Sequence, residues 1–405
     1  MQVRPITEAE LIEARNISSV CFEWSHENRI PYLDYMAQIK DFPKDKSQAY
    51  WAEKLACFDD DGTMMSVMSA YPYDIYFDSK ITQMRGVAAV CSYPQYKRKG
   101  AVRAMLTQFL HNAYEKGVPF SYLHPFNEEF YYKFGYAHCS KSEWRFALEQ
   151  IPDIKYSGSF SLYRGEKDIM DFETAYARYA IEINMMIERD IFDWHHLTSA
   201  NPFLENKFAY LYKDECGSPS GYFIFEPDGK GFGKTMKVQE LAFDSFDTLK
   251  AIMGFIKSFL PDYKTVSFHT PRGLNLDWFC RDFVLSESFC KTIPNGMVRA
   301  VCVDKVLKLA KYKGDGEICI KITDPVILAN TSTFFVRFMD DTAVTVEKTD
   351  RPHDVEMTVN MFSSAILGVY SQEDYYFSDE VSWFCDNELF DKVFYKKPHM
   401  IMNYF

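Results

Sequence analysis

Residues 86–103 read GVAAVCSYPQYKRKGAVR: an apolar run, a proline, three consecutive cations at Lys97, Arg98 and Lys99, then Gly100 and a new apolar periodicity. A helix that opens at such a loop presents unpaired first-turn N–H groups and the positive end of its dipole, which is the chemistry of an anion site. Gly100 admits close approach of a phosphate, and Arg98 and Lys99 add charge-assisted bonds. A solvated basic helix start has the same composition, and one glycine is not a phosphate-binding fingerprint. Both readings stand on these residues alone. Other chemistry-bearing clusters are weaker. Residues 229–234, GKGFGK, lie between two predicted strands with no helix after them and read as a hairpin turn. His195 and His196 follow Asp193 and Trp194 without a third ligand at metal-site spacing, so no metal is expected. His124 precedes Pro125 at the end of the apolar run 120–123 and reads equally as a pocket-lining or a packing residue.

The elements that must position these residues follow from periodicity. A short strand end at 3–5 precedes Thr7 and Glu10, which stand at capping-box spacing and open a helix. Apolar runs at 56–59 and 64–71 flank Asp60-Asp61-Gly62, a hairpin signal. A third run at 87–91 leads through the basic loop into Val102, Met105, Leu106, Phe109, Leu110 and Ala113, a helical stripe closed by Gly117. A strand follows at 120–123. A second block from Ile151 repeats this order: strand 160–163, helix 167–182, strands at 208–212, 222–225 and 238–243, helix 249–259, strand 266–270. That repetition predicts a structural duplication. In place of the basic loop it carries Asp244-Ser245-Phe246-Asp247, which would repel phosphate. A third block from Ser286 reads as α+β, with a helix at 301–310, strands at 318–323, 333–339, 342–347 and 355–360, and helices at 361–368 and 388–393. Asp340-Asp341 reads as a turn.

The 405 residues suggest about two or three domains, and 47% hydrophobic with 17% aromatic residues rules out disorder as the main state. The formal net charge of −12 argues against nucleic acid or anionic membrane as principal partner and is compatible with a cationic ligand. None of the ten cysteines forms a C-x-x-C pair, which predicts core thiols in a reducing compartment. The N-terminal MQVRPITEAELIEAR has no basic-then-apolar leader, and no apolar run nears about 18 residues. The expectation is a cytoplasmic protein.

The segment 86–103 resembles motif A of the GNAT superfamily of acyl-CoA N-acyltransferases, a strand followed by a Q/R-x-x-G-x-G/A loop. Lys97, Gly100 and Val102 hold the three motif positions, and Lys97 and Val102 depart from the usual residues. Residues 126–136, FNEEFYYKFGY, match the signature that closes this domain in many GNAT proteins. Together with RKGAVRAML they resemble the Eis (enhanced intracellular survival) branch. The resemblance implies a catalytic GNAT domain at 1–150, a degenerate GNAT-like domain at 151–285 and a sterol-carrier-protein-like domain at 286–405. The fold class is thus α/β and α+β. The specific motifs cover about residues 86–136; the rest is matched by length, order and the C-terminal aromatic.

The resemblance also implies roles. The backbone of Val90, Cys91 and Ser92 would face the pantetheine and thioester of acetyl-CoA, and Arg98, Lys99, Gly100, Ala101, Val102 and Arg103 would hold its pyrophosphate. Phe126 and Asn127 would flank the pantetheine. Tyr131 holds the family's general-acid position; a phenol of pKa about 10 is protonated at neutral pH and near a thiol's basicity of about 8.5. Tyr132 and Tyr136 are packing residues in this reading, and Phe134-Gly135 shape a turn. In Eis-like proteins the C-terminal carboxylate accepts the amine's proton, which points to Phe405. An ordinary α-carboxylate, pKa about 3.5, is a weak base, so burial or a relaying water is required. A terminal aromatic that merely anchors the last segment is the structural alternative. The implied function is amine acetylation, with an aminoglycoside or another polycationic amine as acceptor, in a homo-oligomer (trimer or hexamer). The competing class is a lipid or small-molecule binding protein that uses the C-terminal domain beside a vestigial acyltransferase site.

Overall fold

The computed structural model describes residues 1–22, 54–190, 193–194, 202–231, 233–282 and 287–405. His195, His196, Phe232 and the expected 285/286 junction lie outside the described residues. Strand β1 (Gln2–Pro5) leads through the Thr7–Glu10 capping box into helix α1 (Leu11–Phe22), with the Thr7 N–H donating to Glu10 at 2.8 Å. Strands β2 (Lys54–Phe58), β3 (Met64–Phe77) and β4 (Lys80–Ser92) form an antiparallel meander. The last two run longer than the apolar runs predict, because the tight turn at Asp78-Ser79, both at positive φ, continues the pairing beyond them. Helix α2 (Ala101–Glu115) crosses to β5 (Phe120–Leu123), which pairs parallel to β4. The predicted stripe is the buried face of α2: Met105, Leu106, Phe109 and Leu110 pack on the sheet, each stabilising by roughly 1.5–3 kcal/mol.

The second block repeats the plan. Strand β7 (Ser159–Leu162), helix α4 (Ile169–Ala180), strands β8 (Phe208–Lys213), β9 (Pro219–Asp228) and β10 (Lys234–Phe243), helix α5 (Phe246–Lys257) and β11 (Tyr263–Pro271) copy the first block's order, with β10 parallel to β11. Gly229, Lys230 and Gly231 follow β9, Gly233 precedes β10 and Lys234 opens it, so the described part of this segment connects two strands, as its setting predicts. Helix α3 (Glu128–Tyr132) follows β5 and precedes strand β6.

Two strands escape a reading based on apolar runs, and they decide the architecture. Strand β6 (Ala137–Ala147) carries buried Ser140, Lys141 and Ser142, and β12 (Phe289–Ala300) is interrupted by Pro294-Asn295-Gly296. The twelve strands order as β1-β2-β3-β4-β5-β12-β6-β11-β10-β9-β8-β7. The halves exchange strands: β12, from the second block, pairs with β5, while β6, from the first, pairs with β11. Residues 289–300, read from sequence with the third block, are bonded into this sheet.

The third block opens with helix α6 (Val303–Leu309) and forms a five-stranded sheet ordered β15-β14-β13-β16-β17, comprising β13 (Gly316–Thr323), β14 (Ser332–Met339), β15 (Thr342–Thr349), β16 (Val355–Thr358) and β17 (Val381–Trp383). Asp340-Asp341 forms the predicted turn, both residues at positive φ. The strand expected to reach Asn360 stops at Thr358, whose hydroxyl caps helix α7 (Val359–Ile366) by accepting from the Met361 N–H. Helix α8 (Asn387–Val393) follows. Arg299 of β12 and Asp324, just past β13, form a fully buried ion pair at 2.7 Å, and Arg299 also donates to the Phe134 carbonyl. One cluster thus joins all three blocks. Among the described residues no helix is long and apolar enough to cross a membrane.

Candidate active site

Strand β4 pairs with β3 along its length, but with β5 only from Met84–Phe120 to Val87–Leu123. Beyond that point the edge of residues 88–92 that faces β5 has no paired strand among the described residues. The register against β3 shifts between Val67 and Ser69, and Ala89 there takes φ +49, a conformation that re-aims the local amides. The side chains next to this bulge are engaged elsewhere. The Cys91 sulfur lies 3.7 Å from the Ser18 hydroxyl, and burial pushes its thiol up to about 12, so it is not a nucleophile. The Ser92 hydroxyl bonds Ser66 at 2.6 Å, and its carbonyl accepts from the Cys21 thiol at 3.0 Å. What Val90, Cys91 and Ser92 bring to this edge is backbone.

The basic loop leaves β4 and enters α2. Arg98 has φ +64, and Gly100, the N-cap, has φ +89 with no side-chain cap on the first turn. A Cβ at Gly100 would meet nothing within 4 Å, so the backbone angle and not crowding calls for glycine. Arg98, Lys99 and Arg103 are exposed, and the Lys99 ammonium sits 4.9 Å over the Tyr96 ring. Ala101 and Val102 face the core instead. The helix start is an uncapped, cation-rich N-terminus.

The end of β5 supplies the opposite wall. Phe126 is exposed, and Asn127 caps α3, its Oδ1 accepting from the Phe130 N–H at 2.8 Å. Tyr131 is buried among Phe126, Phe130 and Tyr136. Burial, and secondarily Tyr136, pushes its phenol above the ordinary tyrosine value. Its neighbours have other partners: the Tyr132 hydroxyl donates to Glu380 at 2.6 Å, and Tyr136 shares a 2.7 Å bond with Ser121. Both are structural, as read from sequence.

The chain's last residues come to the same place. The Phe405 ring lies 5.2 Å from Tyr73 and 5.5 Å from His124, and Tyr404 stacks on His124 at 4.5 Å. A Cβ on Gly86 would fall 2.7 Å from the Phe405 ring, so this glycine lets the ring rest directly on β4. The His124 imidazole lies beside the Asn403 backbone, and its Nε2 is buried with no partner among the described residues. Burial lowers its pKa; the Asn403 backbone opposes the shift and Lys141 reinforces it. His124, left undecided by sequence, therefore packs on the tail at the mouth of the split. Tyr73 and Gly86 gave no chemical signal, although a glycine inside a strand marks close approach.

The second block keeps the bulge, between Val238 and Glu240, but not the open helix start. Ser245 caps α5 by accepting from the Thr248 N–H at 3.2 Å, and the Thr248 hydroxyl donates to Asp244 at 2.7 Å. The place a phosphate would take is filled by the chain's own hydroxyl and carboxylate.

Family models for an acetyltransferase (GNAT) domain match residues 2–139 and 185–300, and one for a sterol carrier protein domain matches residues 303–402. No curated protein matches the chain in sequence. Among solved structures, a GCN5-related N-acetyltransferase from Anabaena variabilis superposes with TM-score 0.83 at 17% identity, covering 100% of both chains. A conserved Enterococcus faecalis protein of unknown function gives 0.81 at 18%, covering 100% of this chain and 99% of that one. Eis1 from Mycobacterium abscessus gives 0.79 at 16%, again over 100% of both. At these identities the likeness is one of fold, and it extends through all three domains.

Proposed function

We propose, from the premise that this chain is a GNAT-superfamily N-acetyltransferase with the three-domain fold of Eis, that it transfers acetyl from acetyl-CoA to a cationic amine at the β4–β5 split. The observation that carries the reading is the meeting of three parts at one split: a basic helix start without a side-chain cap, a bulged strand edge that is unpaired among the described residues, and the Phe405 tail. The amides of residues 98–103 hold the donor's pyrophosphate, and the edge at Val90–Ser92 holds its pantetheine in line with the amine. Phe126 and Asn127 flank it.

The amine nitrogen attacks the thioester carbonyl carbon; a C–N bond forms and the C–S bond breaks. An amide on the bulged edge donates to the developing oxyanion. The Phe405 α-carboxylate takes the amine's proton, directly or through a water. The Tyr131 phenol donates to the departing thiolate. Because burial raises its pKa, the phenol acts chiefly as a hydrogen-bond donor, and solvent completes protonation of the thiol. The net charge of −12 supports a polycationic acceptor, of which an aminoglycoside is one class. The exposed Phe377, Phe384 and Tyr376 of the third domain support a homo-oligomer, which light scattering would measure.

Thiol release from acetyl-CoA is the test, with an aminoglycoside, a linear polyamine and a lysine peptide as acceptors. At least one should give turnover. Tyr131→Phe should lower kcat about 100-fold while the acetyl-CoA KM stays within about threefold. An unchanged kcat removes Tyr131 from the mechanism.

A further inference from the structure

The tail that brings Phe405 to the first domain is held by the second. Arg189 and Glu240 form a buried, bidentate pair at 2.6 and 2.9 Å, with the guanidinium 4.0 Å over the Tyr176 ring and 4.9 Å over Trp194. Tyr222 donates to the same carboxylate. Glu240 stands directly after the β10 bulge, beyond the last residue that pairs with β11. Where the first domain, among the described residues, leaves a bulged strand edge unpaired, the second has an ion pair beside its bulge. Burying two charges costs several kcal/mol unless their remaining hydrogen-bonding capacity is met, and a residue of the tail meets part of it. Asn403 Oδ1 accepts from Arg189 Nε at 3.4 Å and Nη2 at 3.3 Å, and its Nδ2 donates to Asp193 Oδ1 at 3.0 Å. The next two residues lie on the first domain, the Tyr404 ring stacked on His124 at 4.5 Å and the Phe405 ring 5.5 Å from it. The tail thus has the Asn403 side chain in the second domain and the two rings that follow it on the first.

We propose that the degenerate domain's bulge is an anchor, and that Asn403 is a positioning residue which sets the Phe405 carboxylate against the reacting amine. Its amide needs both an acceptor and a donor partner in fixed places, and Arg189 and Asp193 supply them. Aspartate at 403 would keep the Arg189 contact but face Asp193 and Glu240 with a like charge. Leucine would leave the guanidinium's Nε without its partner. The proposal rests on the reading of Phe405 as base only for its effect on turnover; the anchoring itself does not depend on that reading.

The test has one arm independent of catalysis. Carboxypeptidase A removes C-terminal aromatic residues, so the rate at which the untagged full-length protein loses Phe405 reports how firmly the tail is held. Asn403→Ala should raise that rate at least tenfold, with the melting temperature of the protein little changed. An unchanged release rate overturns the anchor. In steady-state kinetics the same variant should lose at least tenfold in kcat, with the acetyl-CoA KM within twofold. Faster release with an unaltered kcat would retain the anchor and reject the terminal carboxylate as base. A cycle with Arg189→Met/Glu240→Met isolates the coupling: adding Asn403→Ala to that background should change the release rate less than twofold. A second full tenfold increase there would show that Arg189 does not hold Asn403.

Discussion

Phe405 is placed by its ring, not by its charge. The ring rests on Gly86 and beside Tyr73 and His124, contacts that survive if the α-carboxylate is converted to an amide by an added residue. Extending the chain by a short Gly-Ser segment should therefore lower kcat about 100-fold or more, the usual contribution of a general base. The melting temperature should stay within a degree or two. Thiol-release kinetics and thermal melts check this; undiminished turnover in the extended protein would eliminate the carboxylate. At this scale the sequence was legible where a residue sits inside a motif. FNEEFYYKFGY singles out Tyr131 as the acid proposed above, while Tyr132 and Tyr136, read as packing residues, bond Glu380 and Ser121. His124 and Asn403 were not readable. Their partners lie 279 or more and 210 or more positions away in the chain, and no local pattern encodes such contacts.

The first and second domains differ at two corresponding helix starts. Helix α2 begins at Gly100 without a side-chain cap, whereas α5 is capped by Ser245 with Asp244 behind it. An N-cap hydroxyl stabilises a helix by about 1 kcal/mol; its absence at α2 leaves the first amides available to an anion. Gly100→Ala should cost about 1–2 kcal/mol, because φ +89 is left-handed and nothing crowds the site. Relief of that strain rotates the amides of residues 100–103. The acetyl-CoA KM should rise several-fold with kcat nearly unchanged, and unaltered KM would detach this loop from donor binding. Both helix starts were legible from composition, basic with glycine against acidic with serine. Strands β6 and β12 were not. Their buried serines and lysine, and the Pro294 interruption, break the apolar alternation on which strand reading depends, and their place is set by pairing across the two halves.

At the scale of the molecule, the three domains that the family resemblance implies are three in sequence but not in hydrogen bonding. The sheet of the first is completed by β12 of the second, and that of the second by β6 of the first. The Arg299–Asp324 pair then fastens the third domain to the exchanged strand. Both side chains are fully buried, and the Asp324 carboxylate also accepts from the Val326 and Ile327 N–H groups and from Asn330. Asp324→Ala leaves an unpaired guanidinium in the core and should lower stability by about 3–5 kcal/mol in urea unfolding. A loss below about 1 kcal/mol would mean that water reaches Arg299. The exchange makes a stronger demand. A fragment of residues 1–150 retains β5 and β6 but loses β12, which lies between them, and β11, which covers the other side of β6, so one edge of β5 and both edges of β6 that are covered in the full chain become exposed. The fragment should aggregate or remain unfolded, although its family match lies entirely within it. A soluble, monomeric 1–150 with a cooperative melt would show that β12 is dispensable. That result would also free the proposed acetyl-transfer site from any requirement for the second domain, contrary to a fold in which the second half closes the sheet of the first.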